Sequence, residues 1–228
     1  MSLSYYVSPE QMIHDKAEFA RKGIAKGKSI VSLDYKGGIL LAAENPSTSL
    51  NKISEIYDRI AFAGVGKYSE FENLRKAGIR YVDIKGYAYS RADVTLKSLA
   101  NAYSEAIGNV FTQNPKPLEV EILIVEVGQT EEIKNGIYRI TFDGSLSDYK
   151  DYAAIGGQAE RVEAYLKEHF KPNLALGSAL NLGRTALGNV ENKLVSGRNL
   201  EVAVLDRNLF RRKFRRIPAQ EIDQLLGL

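Results

Sequence analysis

Strand-like and helix-like segments follow one another in blocks, and the order of these blocks is the strongest constraint on the fold. Strands come first, then two helices, then strands, two more helices, and a final set of strands before a last helix. The first four strands are expected at Ser29–Tyr35, Gly38–Ala43, Asn51–Tyr57 and Ile60–Ala63. Apolar residues occupy both alternating sets of the first strand, as expected for a sheet covered on both faces. The order predicts an α+β chain in which two sheets lie between helix layers.

A further helix is predicted to precede the first strand, over residues 9–23. Ser8 can cap its first turn, Pro9 suits the first helical position, and Gln11 completes a capping box. Apolar residues recur at helical spacing along one face, and Gly23 supplies a stop signal.

Two boundaries are predicted for the helices in the middle of the chain. Gly78 is expected to end the first helix, so that "IRYVDIKGYAYS" is an extended piece. Ser90 and Asp93 have the spacing of a capping box, which is expected to precede a long helix. The apolar face of that helix runs from Leu96 to Val110.

Length and composition exclude several classes of protein. The 228 residues suffice for a substantial core in one large domain or two small ones. A net charge of +3 gives little support for a dedicated nucleic-acid binder, and the lack of cysteine excludes disulfides and thiolate chemistry. The sequence shows no signal peptide, and its apolar runs are far shorter than the roughly 20 residues of a membrane helix. A soluble, cytoplasmic protein is expected.

The sequence carries no familiar catalytic or metal-binding motif. His14 and His169 lie on predicted helices without a second ligand type at helical spacing, which favours a structural or solvated role. "AFAGVGKYS" fails as a phosphate loop because Ala61 replaces the first glycine and Tyr68 replaces Ser or Thr. Its "GVG" is interpreted as a turn between a strand and a helix. No G-x-S-x-G elbow is present, and no metal or cofactor is expected.

The dense basic run "FRRKFRR" over Phe210–Arg216 has two interpretations. Its arginines and interleaved phenylalanines would suit a surface that stacks on nucleic acid. The favoured interpretation is a surface strand whose arginine stems lie over apolar neighbours, because the rest of the chain has no matching basic field.

Several ordered segments resemble one family along nearly the whole chain. They are "SPEQMIHDKAEFARKGIAKGKSIVSL", "LAAENPSTSLNKISEIYDRIAFAGVGKYSEFENLRKAGI", "GYAYSRADVTLKSLANAYSEAI" and "KPLEVEILIVEVG" followed by "IYRITFDGS". They are similar to the α-type subunits of the bacterial (actinobacterial-type) 20S proteasome core particle. The resemblance implies a single domain over 1–228 with the four-layer αββα sandwich of the N-terminal-nucleophile hydrolases, the sandwich itself spanning 28–228.

The resemblance also separates this chain from the catalytic β-type subunits of the same family. In those subunits, processing exposes a threonine at the head of the first strand, whose hydroxyl is the nucleophile and whose free amine can act as base. Lys28 stands at that position here and cannot supply both groups. The alternative is an N-terminal-nucleophile peptidase, which would require cleavage after Lys28 to expose Ser29.

Lys52 is the residue to which the resemblance gives the most specific role. In α-type subunits the matching lysine lies in a pocket between neighbouring subunits and receives the C-terminal carboxylate of an activator. Gly27, Gly64 and Val65 are the further candidates for the wall of this pocket. The alternative is an exposed lysine at a strand start, without a binding role.

The residues before the first helix match the position of the family's gate, which restricts substrate entry at the centre of the ring. The candidate gate residues are Ser4, Tyr5, Tyr6, Val7, Ser8 and Pro9, with the tail itself spanning 1–7. A disordered tail is the alternative for its tyrosines.

The resemblance implies a set of protein partners for a subunit without catalytic activity of its own. These are six further copies in a seven-membered ring, rings of β-type subunits, a ring-shaped proteasomal ATPase and an ATP-independent ring activator. Protein substrates tagged by a ubiquitin-like protein would pass through the ring. Neither nucleic acid nor membrane is an expected partner.

Overall fold

The computed structural model describes residues 8–190 and 193–227, and within them the chain forms six α-helices and ten strands. The helices are α1 (Pro9–Ala25), α2 (Tyr68–Ala88), α3 (Leu96–Gln113), α4 (Ala159–His169), α5 (Leu176–Asn189) and α6 (Ala219–Leu226). The strands are β1 (Ile30–Tyr35), β2 (Gly38–Glu44), β3 (Ile53–Tyr57), β4 (Ile60–Gly66), β5 (Val120–Glu126), β6 (Gly136–Ile140), β7 (Leu146–Tyr149), β8 (Tyr152–Ile155), β9 (Leu200–Asp206) and β10 (Phe214–Ile217). Short 3₁₀ helices lie at Arg91–Asp93 and Gly197–Asn199.

The strands form two antiparallel five-stranded sheets, which confirms the predicted pair of sheets. The first sheet has the order β10-β9-β2-β1-β8, and the second has the order β3-β4-β5-β6-β7. The hairpin of β1 and β2 pairs Ile30 with Ala43 at its open end and Tyr35 with Gly38 at its turn. The chain leaves the second sheet after β7 and enters the first at β8, so "YKDYAAIG" contributes to both sheets.

Three apolar clusters account for the layers of the sandwich. The central cluster joins the facing sides of the two sheets and includes Leu41 from β2 and Leu123 from β5. Helices α4, α5 and α6 pack on the outer face of the first sheet, and α2 and α3 pack on the outer face of the second. Each sheet is therefore buried on both faces, which explains why apolar residues occupy both alternating sets of β1. This architecture confirms the predicted αββα sandwich.

Helix α1 lies at the edge of the sandwich and closes one end of the central cluster. Ala20 and Ile24 are buried there, whereas the opposite face of the helix is exposed. The Ser8 hydroxyl accepts a hydrogen bond from the Gln11 amide at 3.2 Å, as the cap prediction required. The Gln11 side chain donates to Asp15 instead of returning to the cap, so the second half of the predicted capping box is wrong.

Helix α2 shows that the predicted stop at Gly78 and the predicted extended piece after it are wrong. The helix continues for ten residues past Gly78, to Ala88. Gly78 lies where α3 crosses α2, and a Cβ atom at this position would collide with the Tyr103 hydroxyl. The glycine therefore serves close packing between two helices, and burial of Val82 against the second sheet holds the following turns helical.

The start of the long helix also differs from the prediction. The Ser90 hydroxyl accepts a hydrogen bond from the Ala92 amide and caps only the short 3₁₀ turn. Helix α3 begins at Leu96, and its cap is Thr95, whose hydroxyl accepts from the Ser98 amide at 3.3 Å. Two polar caps lie five residues apart in this segment, and the sequence pattern alone did not distinguish them.

The segment "GVG" is the end of strand β4 and not the predicted turn. Gly64, Val65 and Gly66 pair with Ile122, Glu121 and Val120 of β5. The Lys67 amide then donates to the Glu119 carbonyl at 2.9 Å, and α2 begins one residue later.

Candidate functional site

The Lys52 ammonium joins the start of β1 to the end of β2 in the first sheet. Its Nζ atom donates to the Lys28 carbonyl at 3.1 Å and to the Glu44 carbonyl at 3.0 Å. Lys28 precedes β1 and Glu44 ends β2, so the side chain of Lys52 reaches from the second sheet to the open end of the β1–β2 hairpin. Burial lowers the pKa of Lys52, opposed by the nearby Glu201 and Glu44 carboxylates.

Charged side chains of both signs lie around this ammonium. The Glu44 carboxylate is shared by Lys28, whose Nζ lies 3.7 Å away, and by Lys193, whose Nζ lies 2.7 Å away. Glu201, the other nearby carboxylate, is paired with Arg216 at 2.6 Å. The Lys52 ammonium thus lies among two further lysines, two carboxylates and one arginine.

A cleft of about 140 Å³ opens beside these groups. Its lining residues are Ala25, Lys26, Gly27, Lys28, Ser29, Glu44, Gln158, Leu187 and Val190. The lining thus combines the end of α1, the head of β1 and the last turn of α5. Both carbonyl groups that hold the Lys52 ammonium belong to residues of this lining.

The four predicted pocket residues lie close together but at different depths. Gly27 lines the cleft, and its amide donates to the Ile24 carbonyl at 2.9 Å. A Cβ atom at Gly27 would lie 2.6 Å from the Val65 side chain, so the chain can cross β4 this closely only with glycine. Val65 is 1% exposed and Gly64 is buried, with its amide donating to the Lys52 carbonyl at 3.0 Å. Gly64 and Val65 are thus buried in β4 behind the cleft and do not line it.

Lys28 and Ser29 lie between the end of α1 and the start of β1. Helix α1 runs to Ala25, and backbone bonds from Lys26 and Gly27 close its last turn immediately before these residues. The Lys28 carbonyl is occupied by the Lys52 ammonium. Lys28 therefore belongs to a continuous folded segment that runs from α1 into β1.

The predicted gate lies largely outside the described residues. This applies to Ser4, Tyr5, Tyr6 and Val7. Ser8 and Pro9 are described, and they form the cap and the first residue of α1.

Arginine side chains of the basic run after β9 bind other residues of the chain. Arg212 binds Glu55 through its Nε at 2.8 and 2.9 Å, and Arg215 binds Glu221 at 2.7 Å. The guanidinium groups of Arg211 and Arg216 lie 5.2 Å and 5.9 Å from the centres of the Phe210 and Phe214 rings. Only Phe214–Arg216 of the run lie in strand β10, and the residues from Phe210 to Lys213 precede it. The run is therefore a strand end with Arg211 and Arg216 over aromatic rings, and its ion pairs argue against nucleic-acid binding.

The two histidines have no feature of a metal or catalytic site. His14 is exposed on α1, and His169 stacks on Tyr165 with ring centres 4.0 Å apart. Among the residues that the structure describes, no three His, Cys, Asp or Glu side chains are grouped to hold a metal ion. Across the same ranges, no helix has the length and apolar character needed to cross a bilayer.

Sequence reasoning missed Glu201 and Arg216, which lie beside Lys52 in space. The Glu201 carboxylate accepts from the Lys52 amide at 2.9 Å and from the Ile53 amide at 3.0 Å. Lys52 and Glu201 are 149 residues apart in the chain, and Glu201 lies in an apolar strand segment without a motif. They meet only in the folded chain, where β9 of the first sheet contacts β3 of the second.

This fold, two covered sheets with a helix before the first strand, defines a class of protein. A sequence model described as "Proteasome subunit" matches residues 24–205, and the chain belongs to the proteasome subunit family.

Its similarity extends over full-length relatives from actinobacteria. The chain is 53% identical to a protein named proteasome subunit alpha from Thermomonospora curvata, over 100% of this chain and 99% of the relative. It is 52% identical to the protein of that name from Thermobifida fusca, over 99% of this chain and 91% of the relative. A third relative of that name, from Xylanimonas cellulosilytica, is 53% identical over 95% of this chain and 93% of its own length. The resemblance to the α-type branch is thereby confirmed.

Proposed function

We propose that this chain is a non-catalytic α-type ring subunit that docks activators through the cleft beside Lys52. The observation that carries the proposal is the ammonium group of Lys52, held in place by the carbonyl groups of two residues that line the cleft. A C-terminal carboxylate entering the cleft would approach this ammonium. One charge-assisted hydrogen bond contributes about 1.5–3 kcal/mol, and repeated sites around a ring make the combined docking tight.

The partners of this docking step are the ring-shaped proteasomal ATPase and the ATP-independent ring activator. Both carry several copies of one C-terminus on a ring, which matches a ring of equivalent clefts. Protein substrates delivered by the ATPase would pass the ring centre on their way to the β-type subunits.

The test of the docking site is the substitution Lys52→Ala in the particle assembled with β-type subunits. Stimulation of protein degradation by the ATPase is expected to be lost, because the carboxylate loses its cation. Lys97→Ala, which removes an exposed lysine of α3 remote from the cleft, is the matched control and should keep full stimulation. Native mass measurement establishes that both variants assemble. Full stimulation of the Lys52→Ala particle would remove Lys52 from the site.

Ring assembly is supported by exposed apolar surface on α1, at the edge of the sandwich, and on α2, which covers the second sheet. On α1, Met12 and Ile13 are exposed beside the partly exposed Phe19. On α2, Ile84 is exposed and Tyr87 is 94% exposed. Clusters of this kind mark protein contacts, and two separate clusters suit a subunit with neighbours in its own ring and in the next. We assign both as subunit contacts in the assembled particle, with a heptameric ring as the expected assembly.

The remaining elements of the proposal concern entry to the particle and its location. The tail at residues 1–7 would restrict entry at the ring centre, and the assembled particle would act in the cytoplasm. Peptide hydrolysis would belong to the β-type subunits. An intact N-terminus in the mass spectrum of the purified chain is the expected result, whereas a chain that begins at Ser29 would restore the peptidase alternative.

A further inference from the structure

The Glu201 carboxylate binds four donors and thereby connects three parts of the chain. Its Oε2 atom accepts from the Lys52 amide at 2.9 Å and from Asn45 Nδ2 at 2.7 Å. Its Oε1 atom accepts from the Ile53 amide at 3.0 Å and from Arg216 Nη1 at 2.6 Å. The Glu201 residue is only 9% exposed, so these donors replace water almost completely. Removing one of them would leave a buried charge incompletely satisfied.

Arg216 completes the arrangement from the edge of the first sheet. Its Nη1 atom binds Glu201, and its Nη2 atom donates to the Ile53 carbonyl at 2.6 Å. Glu201 thus accepts from the Ile53 amide and Arg216 donates to the Ile53 carbonyl, as a neighbouring strand would. Ile53 begins β3, which is the edge strand of the second sheet. The pair therefore fixes the backbone at the point where the chain enters that sheet.

We propose that the Arg216–Glu201 ion pair is a positioning device that holds Lys52 for an incoming carboxylate. This inference rests on the docking function proposed for Lys52. The backbone of Lys52 is held from the first sheet by Glu201, and its side chain then reaches Lys28 and Glu44 in the same sheet. The ion pair sets where the ammonium lies without contacting the carboxylate.

The same pair also controls the charge of the site. Arg216 compensates the Glu201 carboxylate, which lies near the Lys52 ammonium. Without the guanidinium, that carboxylate would compete with an incoming anion for the field of Lys52. Arg216→Met therefore displaces the cation and weakens its field, and both effects reduce the preference for a carboxylate. Displacement of the ammonium is a geometric effect and the weaker field is an electrostatic one, and both act on the terminal charge of the ligand.

Comparison of two peptides on the assembled particle tests this role. The probe carries the last eight residues of the ring-shaped ATPase, once as the free acid and once as the C-terminal amide. The ratio of their dissociation constants reports recognition of the terminal charge alone. Arg216→Met is expected to reduce the preference for the acid roughly tenfold, the effect of one charge-assisted hydrogen bond. A merely structural role would weaken both peptides equally and leave the ratio unchanged.

The chain offers a matched control on the same strand. Arg215 is one residue away on β10 and forms an ion pair with Glu221 on α6, without contacting the Lys52 segment. Arg215→Met should keep the preference of the parent particle. Arg216→Lys retains the charge but not the two-pronged geometry, and an intermediate ratio is expected for it.

The outcomes separate this inference from the function on which it rests. A parent particle that binds acid and amide equally would overturn both. A parent that prefers the acid, with an unchanged ratio in Arg216→Met, would overturn the positioning role and leave the docking function standing. If Arg216→Met does not assemble, the ratio of Arg216→Lys decides the same question.

Discussion

The Tyr103 hydroxyl donates to the Leu74 carbonyl at 3.1 Å and lies directly over Gly78, so that α3 contacts the backbone of α2. Tyr103 is buried, and its ring also lies near Phe62, with centres 6.0 Å apart. The two helices that cover the second sheet are therefore joined through an aromatic side chain that needs a residue without a Cβ atom opposite it.

Gly78→Ala is expected to destabilise the fold by about 1–3 kcal/mol, because its methyl group would overlap the Tyr103 hydroxyl. Urea unfolding of the purified chain, at one protein concentration, measures the loss. Gly108→Ala on α3 is the matched control, since a Cβ atom there meets nothing closer than 3.5 Å. The control should be neutral or stabilising by about 0.5–1 kcal/mol. Equal stabilities of the two variants would contradict the packing role of Gly78.

Asp34 gives the fold a pH dependence that opposes the usual behaviour of a carboxylate. Burial raises the pKa of Asp34 from 3.8 to about 6, and its Oδ1 atom has no hydrogen-bond partner. Between these two values the folded chain binds the proton more tightly than the unfolded chain. Stability from this group is therefore lost as pH rises from about 4 to about 6.

Asp34→Asn is expected to raise the free energy of unfolding at pH 7 by about 2 kcal/mol and to have little effect at pH 4. Unfolding by urea at a series of pH values measures the difference between the variant and the parent. Asp143→Asn should show the opposite sign, because hydrogen bonds from Thr141 and Ser145 lower the pKa of Asp143 despite partial burial. A difference for Asp34→Asn that is independent of pH would contradict the assignment.

Deletion of residues 1–7 is expected to increase the hydrolysis of small peptides by the assembled particle several-fold without an activator. The reason is the proposed restriction of the ring entrance by these residues. Peptide hydrolysis is compared with that of a particle in which Tyr5 and Tyr6 alone are replaced by alanine. An unchanged rate after the deletion would show that these residues do not limit entry.

The exposed surface of α2 provides a test of ring assembly. Ile84→Asp together with Tyr87→Asp should leave the free energy of unfolding of the isolated chain within about 0.5 kcal/mol of the parent value, because both side chains are exposed. Assembly with β-type subunits, followed by native mass measurement, should be lost. Phe210→Asp changes another exposed aromatic residue, outside the proposed contacts, and should assemble normally. Assembly of the double variant would exclude this surface as a contact.

The block order of strands and helices sufficed to predict the two covered sheets, because periodicity and burial on both faces are local signals. The same signals failed at Gly78, where glycine and the aromatic residues after it resemble a helix end followed by a strand. Packing against Tyr103 decides the conformation there, and that contact joins residues far apart in the sequence.

The site shows the same division between local and distant signals. Lys52 and Gly27 could be identified from the sequence through the family resemblance. Glu201 and Arg216 could not, because their contacts with Lys52 and Ile53 depend on how the first sheet packs against the start of β3 in the second. The buried position of Val65 likewise follows from its pairing with β5 and not from its motif.

Helix α1 gives the cleft a mechanical connection to the beginning of the chain. Its 17 residues make a stiff rod about 25 Å long. One end is packed at Gly27 against Val65, and the other begins at Ser8. One continuous helix thus spans the distance between the residues that line the cleft and Ser8, the first residue that the structure describes.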